Sequence, residues 1–252
     1  MIPMKFERPP ELAEIHEEIE QIIQAREWLM PRLKEEAEKL RKLGFGVDDE
    51  CRIKPGEFKN LFGEENVARD LEWIKGKKTK FEKETPEKIK GEVLEMAKTL
   101  TFNNFWFDKR LIALRTSEYD DVANGVDQLI FDAETKTALA AVDATTNWKD
   151  KTKEISSGIE NGSKVKYGFG FENESLVKKS YYNLPLFIIS MKGEELLEVL
   201  KDIEKGEISF EGRKVENTVL NELKSQSENF AESASLKLKL SYEKAGEIFE
   251  RL

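Results

Sequence analysis

Residues 115–147 read RTSEYDDVANGVDQLIFDAETKTALAAVDATTN, and the fold is decided here. The expected arrangement is a meander of three strands over Leu111–Ser117, Gly125–Asp132 and Thr137–Thr145. Asn124-Gly125, the strongest tight-hairpin pair in the chain, joins the first two, and the polar turn Ala133–Lys136 joins the last two. If the second hairpin centres on Thr135, Asp127 and Asp143 stand directly opposite each other, with Cβ atoms roughly 4.5–5.5 Å apart. At period 2, Leu129, Phe131, Leu139 and Ala141 share their face, so two carboxylates close one end of an apolar surface. Like charges there repel, raise a pKa or call for a cation between them. A divalent metal with oxygen ligands keeps both ionised. A one-residue slip would send one aspartate to the other face. The alternative is two solvated, inert aspartates at strand ends.

An aspartate opening the second strand of a meander, followed by an acid on the third, resembles the PD-(D/E)XK nuclease superfamily. GVDQLIFD matches the first element. AVDAT matches the second in its acid, with Thr145 where that superfamily places a lysine. The resemblance covers residues 85–191 and implies a helix, three antiparallel strands, a helix and a fourth strand. It also implies a Mg²⁺- or Mn²⁺-dependent nuclease acting on DNA or RNA, with Asp127 and Asp143 holding the metal. Glu92, Glu95 or Asp121 would complete the shell, the two glutamates from the first core helix. Thr145 shares strand parity with Asp143 and points into the same site. Its hydroxyl can position water but supplies no cation, so Lys149 or Lys151 would take the lysine's place. Some members of that superfamily have lost activity, so a degenerate fold kept as a binding or assembly module is the second reading.

Composition narrows the chemistry. The chain has 252 residues, enough to bury a core as one domain with appendages or two small ones. Cys51 is the only cysteine, which suits a reducing cytoplasm and excludes an internal disulfide. His16 is the only histidine, so a His-based zinc site or a His-centred triad within one chain is excluded. No run of about 18 apolar residues exists, so neither a transmembrane helix nor a membrane partner is expected. The first fifteen residues also lack the basic-then-apolar plan of a signal peptide. A net charge of −9 argues against broad, nonspecific nucleic-acid binding, although lysines cluster at residues 75–83 and 149–153. Phosphate-loop, dinucleotide and serine-hydrolase motifs are absent.

Outward from the meander, Leu12 to Leu43 follow helical spacing, with Pro31 expected to kink or split the helix near Met30. This N-terminal arm carries more apolar surface than a solvated helix exposes, so it should cover the core or form a homodimer. Thr85-Pro86 opens the first core helix as N-cap and first residue. KVKYGFGFE and SLVKKSYYN form a hairpin turning at Asn173-Glu174, and NLPLFIISM is a strand buried on both faces. Helices follow from Gly193. The expectation is an α+β fold with a four-stranded mixed sheet of restriction-endonuclease-like type flanked by helices. Its parts are an arm and basic linker (1–84), a core (85–191) and a C-terminal helical cap (192–252).

Overall fold

The computed structural model describes residues 10–78, 85–145 and 156–252, with side chains of the first helix from residue 17 onward. His16 falls outside those side chains, and Lys149 and Lys151 lie outside the described residues altogether. Helix α1 (Pro10–Lys42) leads through a loop into the short α2 (Lys59–Phe62) and then α3 (Glu64–Lys78). Next come α4 (Pro86–Asn104), β1 (Leu111–Arg115), α5 (Glu118–Asn124), β2 (Gln128–Asp132) and β3 (Thr137–Thr145). A hairpin of β4 (Ser163–Glu172) and β5 (Ser175–Leu184) precedes β6 (Leu186–Ser190), and α6 (Gly193–Lys205), α7 (Phe210–Ser233) and α8 (Leu236–Phe249) close the chain.

The class is α+β, and the main sheet is four-stranded and mixed, in the order β1-β2-β3-β6. Strands β1, β2 and β3 are antiparallel, whereas β6 runs parallel to β3. A parallel neighbour needs a crossover, and the β4–β5 hairpin lies between β3 and β6 in the chain. Side chains cover both sheet edges. On β6, Gln226 accepts from the Ile188 N–H at 2.8 Å and donates to its carbonyl at 2.7 Å, while the Tyr242 hydroxyl does the same for Leu186 at 3.0 and 3.1 Å. On β1, Asn103 brackets Ala113 in the same way, and the Cys51–Ile53 loop pairs with Arg115. Neither edge is left open as a template for another strand.

One buried cluster runs from Ile22 of α1 to Phe249 of α8. The apolar stripe of α1 (Ile22, Ala25, Leu29, Leu33, Ala37, Leu40) is buried, and α1 packs on α4 and α6. From Ile22 to Leu40 the stripe that raised the expectation of a homodimer is therefore covered from within the chain, while Leu43 is exposed and the side chains of Leu12 and Ile15 fall outside those described. Pro31 does not split α1, which continues to Lys42. Pro31 and Glu27, whose carbonyl the ring displaces, are both exposed, so water can solvate the freed group while Leu29 and Leu33 hold the helix down.

Asn124-Gly125 is not a hairpin turn. Residues 118–124 form α5, and Gly125 ends it at φ 62° as a left-handed C-cap. The Ser117 hydroxyl caps the start by accepting from the Asp120 N–H at 3.1 Å. The glycine is needed for the same reason in either structure: few residues adopt positive φ cheaply.

Candidate functional site

The β2–β3 ladder pairs Gln128 with Val142, Leu129 with Ala141 and Ile130 with Ala140, the register that centres on Thr135. Past Ile130 it shifts by one residue, so Phe131 meets Ala138. The shift lies on the turn side and leaves the other end in register. There β2 has ended, and the Asp127 N–H donates to the Val142 carbonyl at 2.9 Å. The Asp127 carboxylate accepts from the Ala144 N–H at 2.5 Å, which turns it towards β3. Asp143 and Thr145 lie buried on β3 opposite Ile188 and Ser190 of β6.

Helix α4 brings two more charges. Thr85 caps it and Pro86 begins it, as the sequence implied. Lys98 is fully buried, as are Val93, Leu94, Met96, Ala97 and Leu100 of the same helix. Glu95 receives Arg115 Nη2 at 2.9 Å and Arg52 Nη2 at 3.1 Å. Arg52 also reaches Asp121 at 3.2 Å, and Arg115 reaches Glu50 at 3.2 Å. Glu92 points elsewhere: it pairs with Arg26 of α1 at 3.0 Å.

Electrostatics tie the group together. Burial pushes Asp127 well above the usual carboxylate range, and the negative charges of Glu95 and Asp143 push it further, against the pull of Lys98. Asp121 is raised by burial and by Glu95, with Arg52 opposing. Burial also acts to raise Glu95, but Arg115 and Arg52 outweigh it and hold that carboxyl below its ordinary value. Arg52 is kept protonated by Glu95, Asp121 and Glu50, in spite of its burial.

Of the residues singled out in the sequence, Asp127, Asp143, Asp121 and Glu95 are thus brought within electrostatic reach, and Glu92 is not. Arg52, Arg115 and Lys98 were not anticipated. Lys98 stands almost opposite the stripe of Ile89, Val93, Met96, Ala97 and Leu100, so helical spacing gave no signal for it, and the two arginines are positioned by a loop-to-strand contact between residues 52 and 115. Among the described residues no three His, Cys, Asp or Glu side chains are grouped to hold a metal ion. Mg²⁺ does not require such a cage: it takes one or two carboxylates and fills its shell with water and phosphate oxygens. The hard oxygens of Asp127 and Asp143 fit that demand, and the suppressed acidity of Asp127 is what a nearby cation would relieve. Cys51 takes no part. Burial raises its thiol and its Sγ contacts the Leu33 carbonyl, which leaves it inert.

No protein-family model, curated protein or solved structure matches this chain.

Proposed function

We propose that this protein is a Mg²⁺- or Mn²⁺-dependent nuclease of restriction-endonuclease-like architecture, cleaving phosphodiester bonds in DNA or RNA. The observation that carries the reading is Asp127 beside Asp143 at the end of β2 and β3, with Glu95 and the buried Lys98 of α4 within electrostatic reach of Asp127. Asp127 and Asp143 would hold the metal, which polarises a phosphodiester and activates water when bound. Glu95, fixed by Arg52 and Arg115, sets the negative field of the site. Lys98 is a positioning residue: its charge favours the ionised form of Asp127, the form a metal needs. Thr145 contributes a hydroxyl on the same strand. The lone buried cysteine suits a reducing, cytoplasmic setting.

The test uses Mn²⁺ calorimetry beside cleavage of single- and double-stranded DNA and RNA. Asp143→Ala should lose both Mn²⁺ binding and cleavage while remaining folded. Lys98→Met should move the acid limb of the pH–rate profile upward, because losing the cation raises Asp127 further. A merely structural Lys98 would lower activity evenly across pH. One observation favours a second reading, a degenerate fold kept for binding or assembly: Arg52 and Arg115 already neutralise Glu95 without a metal. A parent protein that neither binds Mn²⁺ nor cleaves any of these substrates would leave that reading in place.

A further inference from the structure

At the opposite end of β2 and β3, roughly 20 Å along β3 from Asp143, the Thr135–Thr137 turn meets the tip of the β4–β5 hairpin. Between them lies a cleft of about 380 Å³, a size typical of small-ligand sites. Lys136, Thr137, Phe171, Asn173, Lys179 and Tyr181 line it, with Glu174 as the one acid. Each lysine stands by a ring. Lys136 Nζ is 5.9 Å from the Phe171 centroid, and Lys179 Nζ is 5.4 Å from that of Tyr181.

Both rings are fixed before any ligand arrives. The Tyr181 hydroxyl donates to the Phe169 carbonyl at 2.6 Å. Its ring lies close against Gly168 and Gly170, where an added Cβ would come within 2.9 Å of Cδ2 or 2.8 Å of Oη. Phe171 meets Phe45 and Phe131 edge to face. The backbone is equally set, with Lys136, Asn173 and Glu174 all at positive φ. Lys179 pairs with Glu172 at 3.7 Å, a contact with a 63% exposed carboxylate that a ligand can readily displace. Lys136 and Lys179 stand against Glu174 in the lining and Glu172 beside it, so a ligand that displaces Glu172 meets both ammonium groups.

We propose that this cleft binds a nucleotide unit, with its phosphate on Lys136 and Lys179 and its base against the Phe171 and Tyr181 rings. Fixed aromatic faces beside cations suit a base joined to a phosphate better than either part alone. The site is separate from the carboxylate cluster and does not rest on the nuclease reading.

Calorimetric titration of the full chain with AMP, GMP, CMP and UMP tests it, with inorganic phosphate and adenosine as the separated halves. A short oligonucleotide tells a strand from a free nucleotide. The variant is Lys136→Asn with Lys179→Gln, since asparagine tolerates the left-handed backbone at residue 136. At least one mononucleotide should bind, about tenfold or more tighter than phosphate or adenosine. The double variant should weaken it by about tenfold or more at an unchanged melting temperature. Tighter oligonucleotide binding would assign the cleft to a strand, and equal binding to a free nucleotide; either supports the proposal. No binding by any of the four, binding that survives the double variant, or phosphate binding as well as the nucleotides would overturn it.

Discussion

Asp120 and Asp127 are both buried, and in both cases burial raises the carboxyl. Their surroundings differ in kind. Four donors meet Asp120: the Ser117 hydroxyl and the Asn124 amide, each at 2.7 Å, and the backbone N–H groups of Lys166 at 2.6 Å and Tyr167 at 3.1 Å. This carboxylate stitches α5 to β4 and has its lone pairs occupied, as buried polar groups that hold a fold usually do. Asp127 accepts one such bond among the described residues, from Ala144, and feels Glu95 and Asp143, then Asp121, with Lys98 as the opposing cation. Donors saturate the first acid, while like charge crowds the second. Crowding of that sort works against stability, and its usual location is a site where chemistry requires it.

The contrast breaks most visibly at Asp120. Asp120→Ala should cost about 3 kcal/mol or more, because the Lys166 and Tyr167 N–H groups lose their acceptor and α5 loses its tie to β4. Urea unfolding would measure it, and a loss under about 1 kcal/mol would mean that the four bonds hold little. Glu95→Gln comes next, at about 2 kcal/mol, since it leaves the fully buried Arg115 and the largely buried Arg52 without their shared anion. The sign with pH follows from a carboxyl held below its ordinary value. Its contribution is complete above the usual glutamate range and fades as pH falls through the lowered folded value. The gap between parent and variant should therefore close in acid, and a gap that stays constant would remove the ion pairs as its cause.

LIF and ALAAV are apolar throughout and β2 is buried on both faces, so the pairing of β2 with β3 is read from the polar turn and the symmetric placement of Asp127 and Asp143 about Thr135. That made the Asp127–Asp143 neighbourhood legible. The shift at Ile130/Phe131 was not legible, since Leu139 suits a strand and a bulge equally well. Asn124-Gly125 was misread because a tight turn and a helix C-cap both want a residue at positive φ. The deciding signal lay upstream, where Ser117 precedes the acids of α5's first turn and so marks a helix start. The resemblance, whose first core helix supplies an acid, put Glu92 and Glu95 forward together, and only the tertiary partners separate them: Arg26 claims one, Arg52 and Arg115 the other. Pairs 43 and 66 residues apart, such as Arg52–Glu95 and Arg26–Glu92, leave no mark in local sequence.

The smallest expected effect is also the most discriminating, because its sign is opposite to that at Asp120. Asp127→Asn keeps an oxygen to accept from the Ala144 N–H and removes one of four crowded negative charges. For a carboxyl raised in the folded state, the favourable contribution is complete below the ordinary aspartate range. It is lost as pH climbs through the raised folded value. The parent should therefore lose stability over that climb while the variant does not. By pH 7–8 without metal the variant should be more stable by about 1 kcal/mol, or about 2–4 °C in melting temperature. Added Mn²⁺ should reverse the order, because a cation that binds only the native parent stabilises it in proportion to ligand excess. A variant less stable than the parent at every pH, with no response of the parent to Mn²⁺, would make Asp127 a structural acid of the same kind as Asp120. The distinction between the two would then disappear.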